Sequence, residues 1–146
     1  MTIREAQTEF IRSFNKLDDW FMQYELLLEI AGSTPLPAED EKNGSTKIRG
    51  CQSNTWLVLK NDGERLFLSA DSESLIIRGI LGVFVMLLNE QRLEDAAEAE
   101  LCFIEQTALK EQLSTDRFST MNRVKELIRA YCKEHMKKEG KERNNV

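Results

Sequence analysis

The strongest constraint on the fold is the segment Leu75–Leu88, which is apolar on most faces. A helix that is apolar all round has to be buried, so this segment predicts a central helix covered on more than one side. Gly79 and Gly82 each weaken such a helix by roughly 1 kcal/mol relative to Ala. We expect close packing against strands to explain both. The segment contains Arg78 and is too short to span a bilayer.

A β-hairpin is predicted immediately before this helix. Residues 54–60 and 65–70 are short apolar runs, and the first is rich in β-forming residues. The Asp62-Gly63 step between them is a strong signal for a hairpin turn. Residues 46–49 are predicted to add a third strand. The centre of the chain is therefore a small antiparallel sheet.

Helices are predicted on both sides of the sheet. Residues 33–46 are polar and turn-rich and predict a loop, whereas residues 93–113 and the segment after Ser114 predict helices. This order predicts an α+β fold in which a small antiparallel sheet of about three strands packs against N- and C-terminal helices. Residues 1–146 are predicted to form one domain, with 136–146 as a frayed charged tail. The predicted helix N-caps are Thr2, Asp18, either Asp71 or Ser72, and Ser114.

Charge and composition narrow the class of protein. The formal net charge is -5, which argues against a nucleic-acid binder, since such proteins usually show a basic face. The opening residues MTIREAQTEF lack the apolar core of a secretory signal. We therefore expect a cytoplasmic protein without membrane association, in which thiols are reduced. Its three cysteines form no CxxC pair, so no zinc site is predicted.

Cys51 stands in an unusual place for a cysteine. It follows Gly50 and precedes a polar run, whereas small buried cysteines normally lie within apolar patterns. One interpretation is a structural small residue in a turn. The other is a reactive nucleophile, because nearby cations such as Lys47 and Arg49 can lower a thiol pKa from about 8.5 toward neutrality. Cys102 and Cys132 lie in apolar helical stretches and are predicted to be core residues.

Three further side chains are candidates for a role in chemistry or binding. His135, the one histidine, lies on the apolar stripe of the last helix and is predicted to pack there or to interact with the helix end. Asp71 closes a strand and opens a helix, which an N-cap role explains. Arg117 is in the first turn of the last helix, where a cation opposes the helix dipole. That conflict indicates a specific partner for Arg117.

The segment KIRGCQSNTWLV, residues 47–58, resembles the signature of the SufE family of sulfur-acceptor proteins, a Gly-Cys-x-Ser segment running into a Trp-containing strand. FIRSFNKLDDWFMQYELLLEIAGSTPLP is similar to the opening helices of that family. ADSESLIIRGIL resembles its segment after the hairpin, and LSTDRFSTM resembles the start of its last helix. The matches run in order over roughly residues 10–132. Thr115 and Thr120 depart from the usual Pro and Gly of the family.

The resemblance implies a sulfur carrier with the fold of iron–sulfur scaffold proteins. Family members take sulfur from a pyridoxal-phosphate cysteine desulfurase, stimulate it, and pass the sulfur on for iron–sulfur cluster assembly. The pyridoxal phosphate belongs to the partner, so this chain is expected to need no cofactor, and a homodimer is expected. The resemblance assigns the persulfide to Cys51. It implies supporting roles for Asp71, Arg117, Gly50, Gln52 and Ser53.

Other functions stay open at this point. A thiol redox protein needs a resolving cysteine near Cys51. An iron–sulfur scaffold needs Cys102 or Cys132 to approach Cys51 in space. A pure interaction module would tolerate Cys51→Ser. If Cys51 carries a persulfide, exposure to water invites oxidation, so we expect the sulfur to be tucked beneath its loop at rest.

Overall fold

The computed structural model describes residues 1–136. Most of the segment predicted as a frayed tail lies outside the described residues. The described part combines one β-hairpin with helices on both sides of it in sequence, as the sequence predicts. The elements, in chain order, are α1 (Ile3–Asn15), α2 (Trp20–Gly32), a 3₁₀ turn (Glu39–Glu41), β1 (Thr55–Asn61), β2 (Leu66–Ser72), α3 (Leu75–Leu88), α4 (Leu93–Glu98), α5 (Leu109–Gln112) and α6 (Thr115–His135).

The sheet consists of β1 and β2 in antiparallel register, from Asn61 opposite Leu66 to Thr55 opposite Ser72. The predicted third strand is reduced to a single bridge between Lys47 and Trp56. Two backbone hydrogen bonds flank this bridge, Ile48 N–H to Thr55 O at 2.8 Å and Leu57 N–H to Thr46 O at 2.9 Å. The segment before the cysteine therefore pairs with β1, but it is too short to count as a strand.

Helix α3 is the centre of the molecule, packed between β2 on one side and α2 on another. Its two glycines pack against α2 and not against the strands, so that part of the prediction is wrong. A Cβ at Gly79 would lie 2.8 Å from Leu27 Cβ, and one at Gly82 would lie 2.9 Å from Ala31 Cα. Real Cβ atoms do not approach so closely, because interiors are already packed at crystal density. The glycines therefore let two helices touch through their backbones.

Capping residues confirm two predicted helix starts and correct two others. Thr2 forms the predicted capping box with Glu5, and the Ser114 hydroxyl caps α6. Asp19 caps α2 in place of Asp18. Helix α3 begins later than predicted because Ser74 is its N-cap, while Asp71 and Ser72 belong to β2. An N-cap role therefore does not explain Asp71.

Other departures come from apolar residues that are buried without a regular helix. Residues 99–108 are not helical, although Phe103 and Ile104 are fully buried. The Phe103 ring meets the Phe10 ring of α1 edge-on, with centroids 5.8 Å apart, so this segment turns inward to fill the core. In α2, by contrast, the large apolar side chain of Phe21 is 70% exposed.

The end of α6 also differs from the predicted apolar stripe. His135 is exposed, and its ring stacks on Tyr131 with centroids 4.1 Å apart. The contact is local to the last turn of the helix, so His135 has the helix-end role and not the core role. None of the helices in residues 1–136 combines the length and apolar character that crossing a membrane requires.

Candidate functional site

Cys51 lies on the loop of residues 49–54, which enters β1 at the open end of the hairpin. The thiol is half-buried. Its Sγ lies 3.4 Å from Oγ1 of Thr55, the first residue of β1, which is within hydrogen-bonding distance for sulfur. The loop therefore holds Cys51 back against the end of the sheet while leaving part of the residue accessible.

A second hydroxyl stands behind Thr55. Thr55 and Ser72 face each other across the strands, and their hydroxyl oxygens are 2.8 Å apart. Both residues are buried, at 0% and 7% exposure. Ser72 Oγ also accepts a hydrogen bond of 3.1 Å from Ser74 N–H, at the start of α3. Cys51 is thus joined through two buried hydroxyls to the N-terminus of the central helix.

The loop is held at both ends. Gly50 has φ of +82°, in the left-handed region, so a side chain there would strain the backbone. The Arg123 guanidinium reaches from α6 and donates to the carbonyl of Arg49. At the other end, Glu73 N–H donates to Asn54 O at 2.9 Å, and Asn54 N–H donates to the Glu73 carboxylate at 3.3 Å. Gly50 therefore allows a left-handed turn before Cys51 that other residues would adopt only with strain.

Asp71 lies beside this site but on the other face of the sheet. Side chains alternate along a strand, so Asp71 and its cross-strand partner Trp56 face away from the Thr55–Ser72 pair. The Asp71 carboxylate lies 2.6 Å from Lys42 Nζ and 3.5 Å from Arg78 Nε. Lys42 Nζ also lies 5.3 Å from the centroid of the Trp56 ring. The hydrogen bond to Asp71 raises the pKa of Lys42.

This ion pair joins the long polar loop to the hairpin. Lys42 follows the 3₁₀ turn, and its side chain is 18% exposed, compared with 14% for Asp71. A partly buried, hydrogen-bonded pair is more than a chance surface contact. Asp71 therefore has a structural partner in the free protein, which the sequence did not reveal.

The remaining predicted supporting residues have different surroundings. Gln52 is exposed, and the carbonyl of Ser53 accepts a hydrogen bond of 3.1 Å from the Thr55 hydroxyl. Lys47 and Arg49 are exposed as well. In residues 1–136, the hydrogen-bond partner of the Cys51 sulfur is Thr55, not a cation.

Arg117 is half-buried in the first turn of α6. Its backbone N–H donates to the Ser114 cap at 3.2 Å, but within the described chain no hydrogen bond or ion pair joins its guanidinium to the Cys51 loop. The α6 residue that does reach the loop is Arg123. A partner for the Arg117 guanidinium therefore stays a prediction.

The other two cysteines have separate environments. Cys132 is fully buried in α6, as predicted, and burial raises the pKa of its thiol to about 11. Cys102 is half-buried and borders an open cavity of about 1220 Å³ between α1, α4 and α6, where its backbone N–H donates to Gln7 Oε1 at 2.7 Å. All three thiols are free. Across residues 1–136, no three His, Cys, Asp or Glu side chains are grouped so that they could hold a metal ion.

Sequence reasoning missed Thr55, Ser72, Lys42 and Arg123. One signal bears on the first two: the Asp62-Gly63 turn predicts a hairpin whose open end lies next to Cys51. It does not give the register, since a two-residue loop at that step would pair Thr55 with Ala70, whereas the observed loop places Thr55 opposite Ser72. No comparable local signal exists for Lys42 and Arg123, because each reaches the site from a distant segment.

Fold and site together define a small α+β domain that presents one half-buried thiol on a loop at the open end of a hairpin. The chain belongs to the SufE family, because the model of this Fe-S metabolism associated domain matches residues 8–132. The protein therefore has a role in iron–sulfur metabolism. This confirms the resemblance given by the Cys51 segment and the segments around it.

The fold is similar to a solved structure with no assigned role. The solution structure of a hypothetical protein from Thermus thermophilus superposes with a TM-score of 0.73, at 16% identity, over 89% of this chain and 95% of that chain. At that identity the likeness shows the fold alone. It confirms the predicted α+β class, with two strands in place of about three.

Proposed function

We propose that this protein is a sulfur acceptor for a pyridoxal-phosphate-dependent cysteine desulfurase. Cys51 takes the sulfur as a persulfide, and the protein delivers it to an iron–sulfur cluster assembly complex. In this role the chain is a covalent carrier that stimulates its partner, and it has no resident cofactor. The observation that carries the proposal is the Cys51 thiol, half-buried on a loop at the edge of a SufE-family domain.

The transfer is a thiol–disulfide exchange. The Cys51 thiolate attacks the terminal sulfur of a cysteine persulfide on the desulfurase. A new S–S bond forms at Cys51, the S–S bond of the partner breaks, and the partner cysteine leaves as a thiolate. The proton on the terminal sulfur moves with it, so the product is a Cys51 persulfide. Delivery repeats the same exchange with Cys51 as the leaving thiolate.

The position of Cys51 suits a thiol that has to enter another active site. A loop at the end of a sheet can project beyond the body of a domain, whereas a thiol on a core helix cannot. The contact with Thr55 is the kind of resting position that shelters a persulfide from oxidation. Delivery then requires the sulfur to leave that position.

Asp71 and Arg117 have supporting parts in this proposal. The Lys42–Asp71 pair secures the strand next to the Cys51 loop, at a distance of 2.6 Å. Arg117, in the first turn of α6, offers a cation to an acidic group of the partner. The homodimer and the cytoplasmic location expected from the sequence stay predictions.

Intact-mass measurement tests the proposal. Incubation with a cysteine desulfurase and cysteine is expected to add one sulfur atom to the wild type, reversibly on reduction, and to speed the consumption of cysteine. Cys51→Ser is expected to abolish the gain. Cys102→Ser is the matched control, because it removes another half-buried thiol and should leave the gain intact. No gain with any cognate desulfurase, or a gain that persists in Cys51→Ser, overturns the proposal.

A further inference from the structure

The hairpin has two hydroxyls where its neighbouring positions are apolar. Thr55 and Ser72 continue the core-facing rows of β1 and β2, in which the adjacent positions are the buried Leu57 and Ala70. Burying a hydroxyl is unfavourable unless it is hydrogen-bonded. Small apolar residues would fill these two positions without needing hydrogen-bond partners. The presence of two hydroxyls therefore indicates a role beyond packing.

Counting protons shows how the two hydroxyls are arranged. Ser72 Oγ accepts from Ser74 N–H, and the acceptor that the described residues offer to its own proton is Thr55 Oγ1, 2.8 Å away, which assigns Ser72 as the donor of this pair. The single proton of Thr55 then has two acceptors, the Ser53 carbonyl at 3.1 Å and Cys51 Sγ at 3.4 Å. The direction of the Thr55 hydroxyl is therefore the one free choice in the chain of bonds.

The direction of the Thr55 hydroxyl depends on whether the Cys51 sulfur is protonated. A neutral thiol can donate to Thr55 Oγ1, and the Thr55 proton then goes to the Ser53 carbonyl. A thiolate has no proton to donate and accepts strongly, so the Thr55 hydroxyl turns toward Sγ. Donation from Ser72 at the same time polarises the Thr55 hydroxyl and makes it a better donor.

We propose that Thr55 is a positioning residue that donates a hydrogen bond to the Cys51 thiolate, with Ser72 orienting Thr55 for this purpose. The inference deepens the proposed sulfur transfer, on which it rests for its biological meaning. The hydroxyl favours the ionised sulfur and aims it away from the sheet before attack. Once Cys51 carries the persulfide, Sγ is neutral and the Thr55 proton returns to the Ser53 carbonyl.

A matched pair of substitutions tests the role of the hydroxyl. Thr55→Val removes the oxygen and keeps the shape, whereas Thr55→Ser keeps the oxygen and removes a methyl group. The readout is the rate of Cys51 alkylation by iodoacetamide as a function of pH, followed peptide by peptide by mass spectrometry. In Thr55→Val we expect the midpoint of the pH–rate profile to rise by about one pH unit, which makes alkylation at pH 7 roughly tenfold slower.

Two further variants test whether the shift comes from loss of the hydroxyl group. In Thr55→Ser the midpoint is expected within about 0.3 unit of wild type, since the donor remains. Ser72→Ala is expected to raise the midpoint in the same direction but by less than Thr55→Val, and it serves as the second variant if Thr55→Val does not fold. A wild-type midpoint in Thr55→Val, or equal shifts in Thr55→Val and Thr55→Ser, overturns the proposal.

This measurement needs no partner protein, so it separates the two proposals. A shifted profile without sulfur uptake by the wild type would leave the Thr55 hydrogen bond standing and remove the sulfur-acceptor role. Sulfur uptake with an unshifted profile in Thr55→Val would do the reverse.

Discussion

Cys51 and Cys132 are the same chemical group in opposite surroundings. Cys51 is half-buried on a loop with a hydroxyl 3.4 Å from its sulfur, whereas Cys132 is fully enclosed by the core. Burial among apolar residues penalises the thiolate, which raises the pKa of Cys132 to about 11. A sheltered thiol and an inert thiol are therefore different things. Cys51 has a polar partner and lies on a surface loop that can move outward, whereas Cys132 is enclosed in the core.

The largest expected contrast between the two thiols is in native-state alkylation. With a pKa of about 11, Cys132 has a thiolate fraction at pH 8 on the order of one in a thousand. Opening the core adds a further barrier. We expect iodoacetamide to modify Cys51 at least roughly a thousand times faster than Cys132, measured on separate peptides. Comparable rates in the folded protein would contradict the contrast between an accessible Cys51 and a buried Cys132.

Serine substitution should reduce the stability of the protein more at Cys132 than at Cys51, which is the reverse of the order expected for alkylation rates. Cys132→Ser places a hydroxyl in the core and is expected to lower the free energy of unfolding by about 1–3 kcal/mol. Cys51→Ser keeps a small polar group at a loop position and should change it by less than about 0.5 kcal/mol. Urea denaturation of both variants gives the two values. Equal losses would mean that both thiols are part of the core.

Alkaline pH sharpens the same contrast. Between pH 9 and about 11, the Cys132 thiol of the folded protein stays protonated, whereas the unfolded chain ionises near its ordinary value of 9.0. The unfolded state then binds fewer protons, so the free energy of unfolding falls through this window and is unaffected below it. The difference in stability between wild type and Cys132→Ala should therefore shrink from pH 9 to 11. A difference that does not change with pH would contradict the raised pKa.

The smallest expected effect comes from the hydrogen bond between Arg123 and the backbone of the Cys51 loop. Arg123→Ala removes the guanidinium that donates to Arg49 O, so the loop should open more often and Cys51 should be alkylated about two- to fivefold faster. Arg129→Ala is the matched control, because that arginine is on the same helix but contacts Ala99 O and Glu126. Its Cys51 rate should equal that of wild type. A slower reaction in Arg123→Ala would instead give that cation a part in ionising the thiol.

Local signals in the sequence predicted the local structure well. The Asp62-Gly63 step located the hairpin, and Thr2 and Ser114 located two helix starts. The family segment around Cys51 led to the loop on which the site is centred. Helix α3 was predicted to be buried because its composition permits nothing else.

Contacts between distant segments could not be predicted in the same way. Lys42 reaches Asp71 from a polar loop whose composition indicates only exposure, and Arg123 is one of several cations on α6. The glycines of α3 predict a close approach, which the structure confirms, but the approaching element is α2 and not the predicted strands, because the sequence does not say which element packs there. Such contacts depend on how whole elements pack, which no short window of sequence contains.

The Thr55–Ser72 pair is the terminal pair of the hairpin ladder. The ends of a ladder open more readily than its middle, and such openings occur far more often than unfolding of the domain. Release of the Cys51 sulfur therefore needs local opening of this end of the hairpin, including the Asn54–Glu73 hydrogen bonds just beyond the pair and the Arg123 contact that holds the loop. In the proposed sulfur transfer, such a local fluctuation exposes Cys51 while the helices behind the sheet stay folded.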